Sequence, residues 1–190
     1  PGVRAIVLRI NSPGGSASAA QEICDYLRDI RESGTPLVAS MGAIAASGGY
    51  YIACNADTIV ANPATLTGSI GVIMSFTNLE DLFEKIGMDF EVVKSGKYKD
   101  TGSWSREMTP EERELLQETV DDIHAQFVEA VSSARGMAME EVGDIADGRV
   151  FSGRQALAEG LVDRLGSLDD AVALAGRMGG LGDEPRVQEP

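Results

Sequence analysis

One hydroxyl stands inside a run of very small residues, Met41-Gly42-Ala43-Ile44-Ala45-Ala46-Ser47-Gly48-Gly49-Tyr50-Tyr51. Neighbours of this size leave room for another backbone to approach Ser47. If Ser47 opens a helix, its Oγ lies near free N–H groups, and the Gly48 amide points toward the same space. Such an arrangement suits acyl transfer through a developing oxyanion. Tight helix packing also selects Ala, Gly and Ser, so the run alone leaves both readings open. A serine hydroxyl is a poor nucleophile without a base. The one imidazole, His124, sits beside Asp121, Asp122 and Gln126, one residue off an apolar stripe. It reads as a solvated or interface histidine.

Lysine is the remaining base. The chain has four, Lys85, Lys94, Lys97 and Lys99, and three of them fall in Lys94-Ser95-Gly96-Lys97-Tyr98-Lys99-Asp100. Arginine cannot serve as a base near neutral pH, whereas a desolvated lysine can. A free lysine titrates near 10.4 and must fall by about 3 to act near pH 7, a shift that an apolar wall can supply. A carboxylate at Asp100 would oppose that shift if it faced the Lys99 ammonium. In extended chain, neighbouring side chains point to opposite sides. The residues themselves do not choose among Lys94, Lys97 and Lys99, and a basic surface loop remains the plain alternative. A second glycine site, Asn11-Ser12-Pro13-Gly14-Gly15, lies between a strand pattern and a helix pattern. Its glycines permit positive φ and close approach of backbone N–H groups to an anion. It lacks the Gly-Lys-Ser/Thr ending of a phosphate loop.

The elements that must position these groups alternate. Strands are expected at Val3–Ile10, Pro36–Met41, Thr58–Ala61, Ile70–Phe76 and Phe90–Val93. Helices are expected at Ser18–Arg31, Ala45–Cys54, Leu79–Lys85, Pro110–Ala134, Met139–Ile145, Gly153–Glu159 and Asp169–Arg177. The helix from Pro110 has Thr109 as N-cap and Glu111 and Glu112 at the positive end of its dipole. Its expected buried face is Leu116, Val120, Ile123, Phe127, Val131 and Ala134. Alternation of this kind implies an α/β fold with a mostly parallel sheet. The chain has 190 residues, 43% of them hydrophobic, which suits one domain over 1–178 with a disordered tail at 179–190.

Composition removes several function classes. Acids outnumber bases 30 to 16, for a net charge of −14, which argues against nucleic acid as a partner. Cys24, Cys54 and one histidine make neither a disulfide framework nor a zinc site, so no metal or cofactor is expected. No signal peptide is evident. The uncharged stretch Ser33–Ala56 carries Pro36 and too few Leu, Ile and Phe residues to read as a membrane span.

Five blocks taken together resemble the SppA-type signal peptide peptidases, Ser/Lys-dyad endopeptidases of the ClpP/crotonase-like fold. They are Ile10–Gly15, Ala45–Tyr51, Leu66-Thr67-Gly68-Ser69-Ile70-Gly71-Val72, Ser95–Asp100, and Ala146–Ala156 with Gly160–Asp163. The resemblance covers about residues 1–175. It implies Ser47 as nucleophile, Lys99 as general base, Ser69 as the hydroxyl that orients the lysine, and the Gly14 and Gly48 amides as the oxyanion hole. It further implies peptide substrates with small or apolar residues near the cut. A homo-oligomeric ring with a site shared between protomers is expected, as is a membrane anchor in an N-terminal segment outside this chain, which would make the chain a soluble catalytic fragment. Two rivals are a crotonase-like acyl-CoA enzyme, which would use the glycines without a Ser47–Lys99 pair, and a catalytically inactive peptide-binding scaffold.

Overall fold

A computed structural model describes residues 2–189. Pro1 and Pro190, the outer ends of the expected domain and tail, lie outside the described residues. The chain divides into two compact units, one of residues 1–71 and 126–190 and the other of residues 72–125.

The larger unit is the expected α/β arrangement with a mostly parallel sheet. Its strands are β1 (Ile6–Ser12), β2 (Leu37–Ala46), β3 (Thr58–Ala61), β4 (Leu66–Gly68), β5 (Val150–Ser152) and β6 (Arg164–Leu165). β2 is the spine. β1 runs parallel along one edge of it, and β3 and β4 lie end to end along the other. β6 extends the sheet beyond β3, and β5 closes the β4 side as the one antiparallel pair among the described residues. A strand covered on both faces must be apolar throughout, and eight of the ten residues of β2 are buried. Leu37 and Ala39 face the main core with Ile59, Val131 and Leu161, while Val38 and Val60 meet Ala171 and Ala175 on the other face. The second cluster belongs to α7 (Leu168–Met178), whose N-cap Ser167 accepts from the Asp170 N–H.

α1 (Ala17–Glu32) buries Ala20, Cys24 and Leu27, whereas Ile23 stays exposed. α2 (Gly48–Ala53) lies against α1 and places the Tyr50 hydroxyl in the core, where it donates to the Leu161 carbonyl at 3.0 Å. Burial holds the Tyr50 hydroxyl neutral far above the usual tyrosine range. The thiols of Cys24 and Cys54 are also buried, and desolvation pushes each up to about 12. Beyond α7, Gly182 and Pro185 fold back against Gly176.

In the smaller unit, α3 (Glu80–Ile86) sits beside an aromatic trio. Phe83, Phe90 and Trp104 stand with ring centroids 4.8–4.9 Å apart. The strands expected at Ile70–Phe76 and Phe90–Val93 do not form. Both segments are rich in β-branched residues, yet a strand also needs a neighbouring strand to bond to, and among the described residues no strand pairs with either, although the Ile70 carbonyl accepts from the Gly148 N–H at 3.0 Å. α4 (Pro110–Arg135) buries Phe127, Val128 and Val131 in its second half, while Leu116, Val120 and Ile123 are only half-buried. Among the described residues, no helix is long and apolar enough to cross a membrane.

Replacing Tyr50 by Phe removes one buried hydrogen bond and leaves the Leu161 carbonyl unpaired. Unfolding should become easier by about 1 kcal/mol, lowering Tm by about 2–4 °C in a thermal melt. An unchanged Tm would show that this bond adds nothing.

Candidate active site

β2 ends in a sharp turn at Ser47, not in the helix expected from Ala45. Ala45 and Ala46 remain in the strand, and the helix begins at Gly48. Ser47 has φ 51° and ψ −122°, a region that non-glycine residues rarely occupy and that costs on the order of 1–3 kcal/mol. Sharp strand-to-helix turns of this kind present a nucleophile's hydroxyl to substrate.

The turn is pinned from several sides. Its Ser47 N–H donates to the Gly68 carbonyl at 2.8 Å, and the Ser47 carbonyl accepts from the Tyr51 N–H at 2.9 Å. Upstream, the Thr67 hydroxyl donates to the Ala45 carbonyl at 2.6 Å and the Thr65 hydroxyl to the Gly42 carbonyl at 2.7 Å. Both threonines are buried. Between them, β2 bulges against β1, so that Ile10 pairs with Met41 but Ser12 with Ala45. Asn11 fills the bulge: its Oδ1 accepts from the Ile44 N–H at 3.2 Å, and its side chain packs flat on Gly42. Sequence reasoning passed over Asn11, Thr65 and Thr67. Only the register of β2 against β1 and β4 gives them these roles.

The Gly14–Gly15 turn lies directly against Ser47. A Cβ placed on Gly14 would stand 2.8 Å from Ser47 Cβ and 3.1 Å from Ser47 Oγ, and Gly14 has φ 121°. A Cβ on Gly48 would stand 3.2 Å from the Gly15 nitrogen. The structure therefore brings Gly14, Gly15, Ser47 and Gly48 together. The Gly14 N–H donates to Ser12 Oγ at a long 3.2 Å, whereas the Gly48 N–H, in the first turn of α2, has no intrahelical partner. Ser69 follows the carbonyl that receives Ser47 and also has positive φ, at 50°. Its N–H donates to the Arg149 carbonyl at 2.8 Å.

Lys99 belongs to the other unit, in a turn closed by its N–H donating to the Gly96 carbonyl at 3.2 Å. It is exposed, and its amine makes no ion pair among the described residues. Lys94 pairs with Asp100 at 2.5 Å, and Lys97 pairs with Glu111, which raises the Lys97 ammonium above its usual range. The Asp100 carboxylate is taken by Arg106 and Lys94 and lies well below the usual carboxylate range. His124 is half-buried in mid-α4.

Two variants test the geometry around Ser47. Gly14→Ala should cut any activity that depends on the Ser47 hydroxyl by about 100-fold or more while the far-UV spectrum is kept, because its methyl needs the space of that hydroxyl. Ser47→Gly should relieve the backbone and raise Tm by about 2–4 °C in a thermal melt. A lower Tm for Ser47→Gly would mean the turn is unstrained.

The model of Peptidase family S49 matches residues 29–180. A candidate protease of Synechocystis sp. is 50% identical over 184 residues, which is 97% of this chain and 66% of the relative. Protease 4 of Salmonella typhi is 42% identical over 94% of this chain and 29% of its own length. The chloroplastic serine protease SPPA of Arabidopsis thaliana is 39% identical over 90% of this chain and 25% of its own. The chain thus spans a quarter to two thirds of these relatives. On the extent of these matches, the chain belongs to peptidase family S49.

Proposed function

We propose that this chain carries a serine endopeptidase site that works through Ser47 and Lys99. The observation that carries the reading is the turn at Ser47, a strained serine at the end of a buried strand with Gly14 packed on its hydroxyl. A side chain at Gly14 would block the space that a peptide carbonyl needs.

The charge pattern favours Lys99 among the clustered lysines. An amine that must give up its proton cannot be clamped by a carboxylate, and Lys94 and Lys97 are so clamped. In the proposed reaction, Ser47 Oγ bonds to the scissile carbonyl carbon and its proton passes to Lys99 Nζ. The oxyanion rests on the Gly48 amide and on Gly14, whose N–H leaves its long bond to Ser12 Oγ. Collapse breaks the C–N bond, and the Lys99 proton goes to the departing amine. Water then attacks the ester as Lys99 takes its proton, and Lys99 returns that proton to Ser47 Oγ as the ester C–O bond breaks. Ser69, next to the carbonyl that pins Ser47, orients the lysine amine. The substrate is an extended peptide with small or apolar residues near the cut, of the kind left by signal peptides.

Lys99 is exposed in the single chain, so its desolvation comes from bound peptide and from a neighbouring copy in a ring. A membrane anchor in a preceding segment belongs to the same reading and rests on the family resemblance.

Ser47→Ala and Lys99→Ala should each abolish hydrolysis of an unstructured apolar peptide without loss of fold, and a serine-directed acylating probe should add mass at Ser47. A Lys99→Ala protein with full activity would remove the lysine from the mechanism. Mixing the two inactive variants under exchange conditions should restore activity, because a shared site regains one intact Ser47 and one intact Lys99. No recovery would place both groups in one chain. The rate should rise with pH through an apparent pKa well below that of free lysine.

A further inference from the structure

The charges around the lysine-rich turn are paired in an ordered way. Arg106 is the centre. Its Nε and Nη2 donate to the two oxygens of Asp100 at 3.0 and 2.9 Å, and its Nη1 and Nη2 donate to the two oxygens of Glu112 at 2.9 and 2.5 Å. Guanidinium presents two edges that each match a carboxylate, and both edges are occupied here. Glu112 is only 3% exposed. It also accepts from the Thr109 N–H at 2.9 Å, while its own N–H donates to Thr109 Oγ1 at 3.2 Å. That reciprocal pair is the capping box of α4. Arg106 therefore ties the turn that carries Lys99 to a buried helix cap.

Other charges of these elements are paired as well. Lys94 donates to Asp100, and Lys97 and Tyr98 both donate to Glu111. From α3, Glu80 accepts from the Glu107 N–H at 2.8 Å. Within residues 94–106, Lys99 is left as the cation without an ion pair among the described residues. Its sequence neighbour is the Asp100 carboxylate, and Arg106 holds both Asp100 oxygens.

We propose that Arg106 is a positioning residue: by binding Asp100 and Glu112 on its two edges, it keeps the Asp100 carboxylate out of an ion pair with Lys99 and leaves that amine free to take a proton. The proposal rests on Lys99 as the base. Without Arg106, Lys94 still holds Asp100 Oδ1 but Oδ2 is released, and that oxygen, if it turned to Lys99, would stabilise the ammonium and shift proton transfer to higher pH. The clamp persists through neutral pH. Arg106 holds the Glu112 carboxyl down at about 2 from its usual 4.5. A lowered value of this kind adds stability above the unfolded range and loses it only as pH falls through the folded value.

The test is the pH dependence of kcat/KM for an apolar peptide. Arg106→Gln should move the rising limb up by about one pH unit, so activity falls about tenfold at pH 7 and recovers near pH 9, with KM unchanged. Adding Asp100→Asn to that variant should move the limb back. Asp100→Asn alone should leave it in place, since Asp100 does not act on the amine while Arg106 is present. Three results would overturn the proposal: an Arg106→Gln loss that is equal at every pH, a double variant that stays shifted, or an Asp100→Asn limb that moves down. The last variant serves even if Arg106→Gln fails to fold. Activity in Lys99→Ala would instead remove the base itself, whatever the Arg106 variants do.

Discussion

The larger unit turns on one backbone constraint: β2 must stop at Ser47 in a conformation that serine does not favour. Nothing local stabilises φ 51° in a serine. It persists because its neighbours leave no alternative. The N–H is taken by Gly68, the carbonyl by the first turn of α2, and the two residues ahead are locked into a sheet three strands wide. Thr65 and Thr67 cap carbonyls of β2, Thr65 at Gly42 where β3 has ended and β4 has not begun. Strain at one residue is thus spread over hydrogen bonds from β4, the β3–β4 turn and α2, all of which would have to yield together.

The smaller unit solves a different problem with charge. Its lysine-rich turn has no regular structure to hold it, and the aromatic trio of Phe83, Phe90 and Trp104 supplies only a small core. Fixed geometry comes from the double fork of Arg106 instead, anchored on a buried helix-cap glutamate. Hydrogen bonding sets the Ser47 site and ion pairing sets the Lys99 turn, so salt and acid should trouble the second more than the first.

Much of this was legible in the residues. Periodicity located α1, α4, α5 and α7 within a residue or two, and Thr58–Ala61 is a strand as read. The spacing of the glycines around Ser47 marked the close approach that the structure contains. Other features were hidden for physical reasons. The end of β2 was misjudged because Ala45 and Ala46 have helical propensity, and pairing with β1 and β4 overrides it. β4, β5 and β6 are two or three residues long, too short to show a period. Ile70–Phe76 and Phe90–Val93 look like strands because their composition suits a pleated surface, but propensity supplies no partner. The pairing of Arg106 with Asp100 and Glu112 crosses a loop without pattern, so no spacing rule announces it.

The two thiols bear on how the molecule can be handled. Cys24 and Cys54 lie where α1 meets α2, hydrogen-bonded to the Tyr51 carbonyl at 3.4 and 3.1 Å. With both pushed up to about 12, almost no thiolate exists at neutral pH, and alkylating reagents have nothing to attack in the closed state. Their modification rate is consequently a clock for the opening of the α1–α2 seam beside Ser47. A cysteine introduced anywhere on the surface could carry a spectroscopic label without removal of either native sulfur.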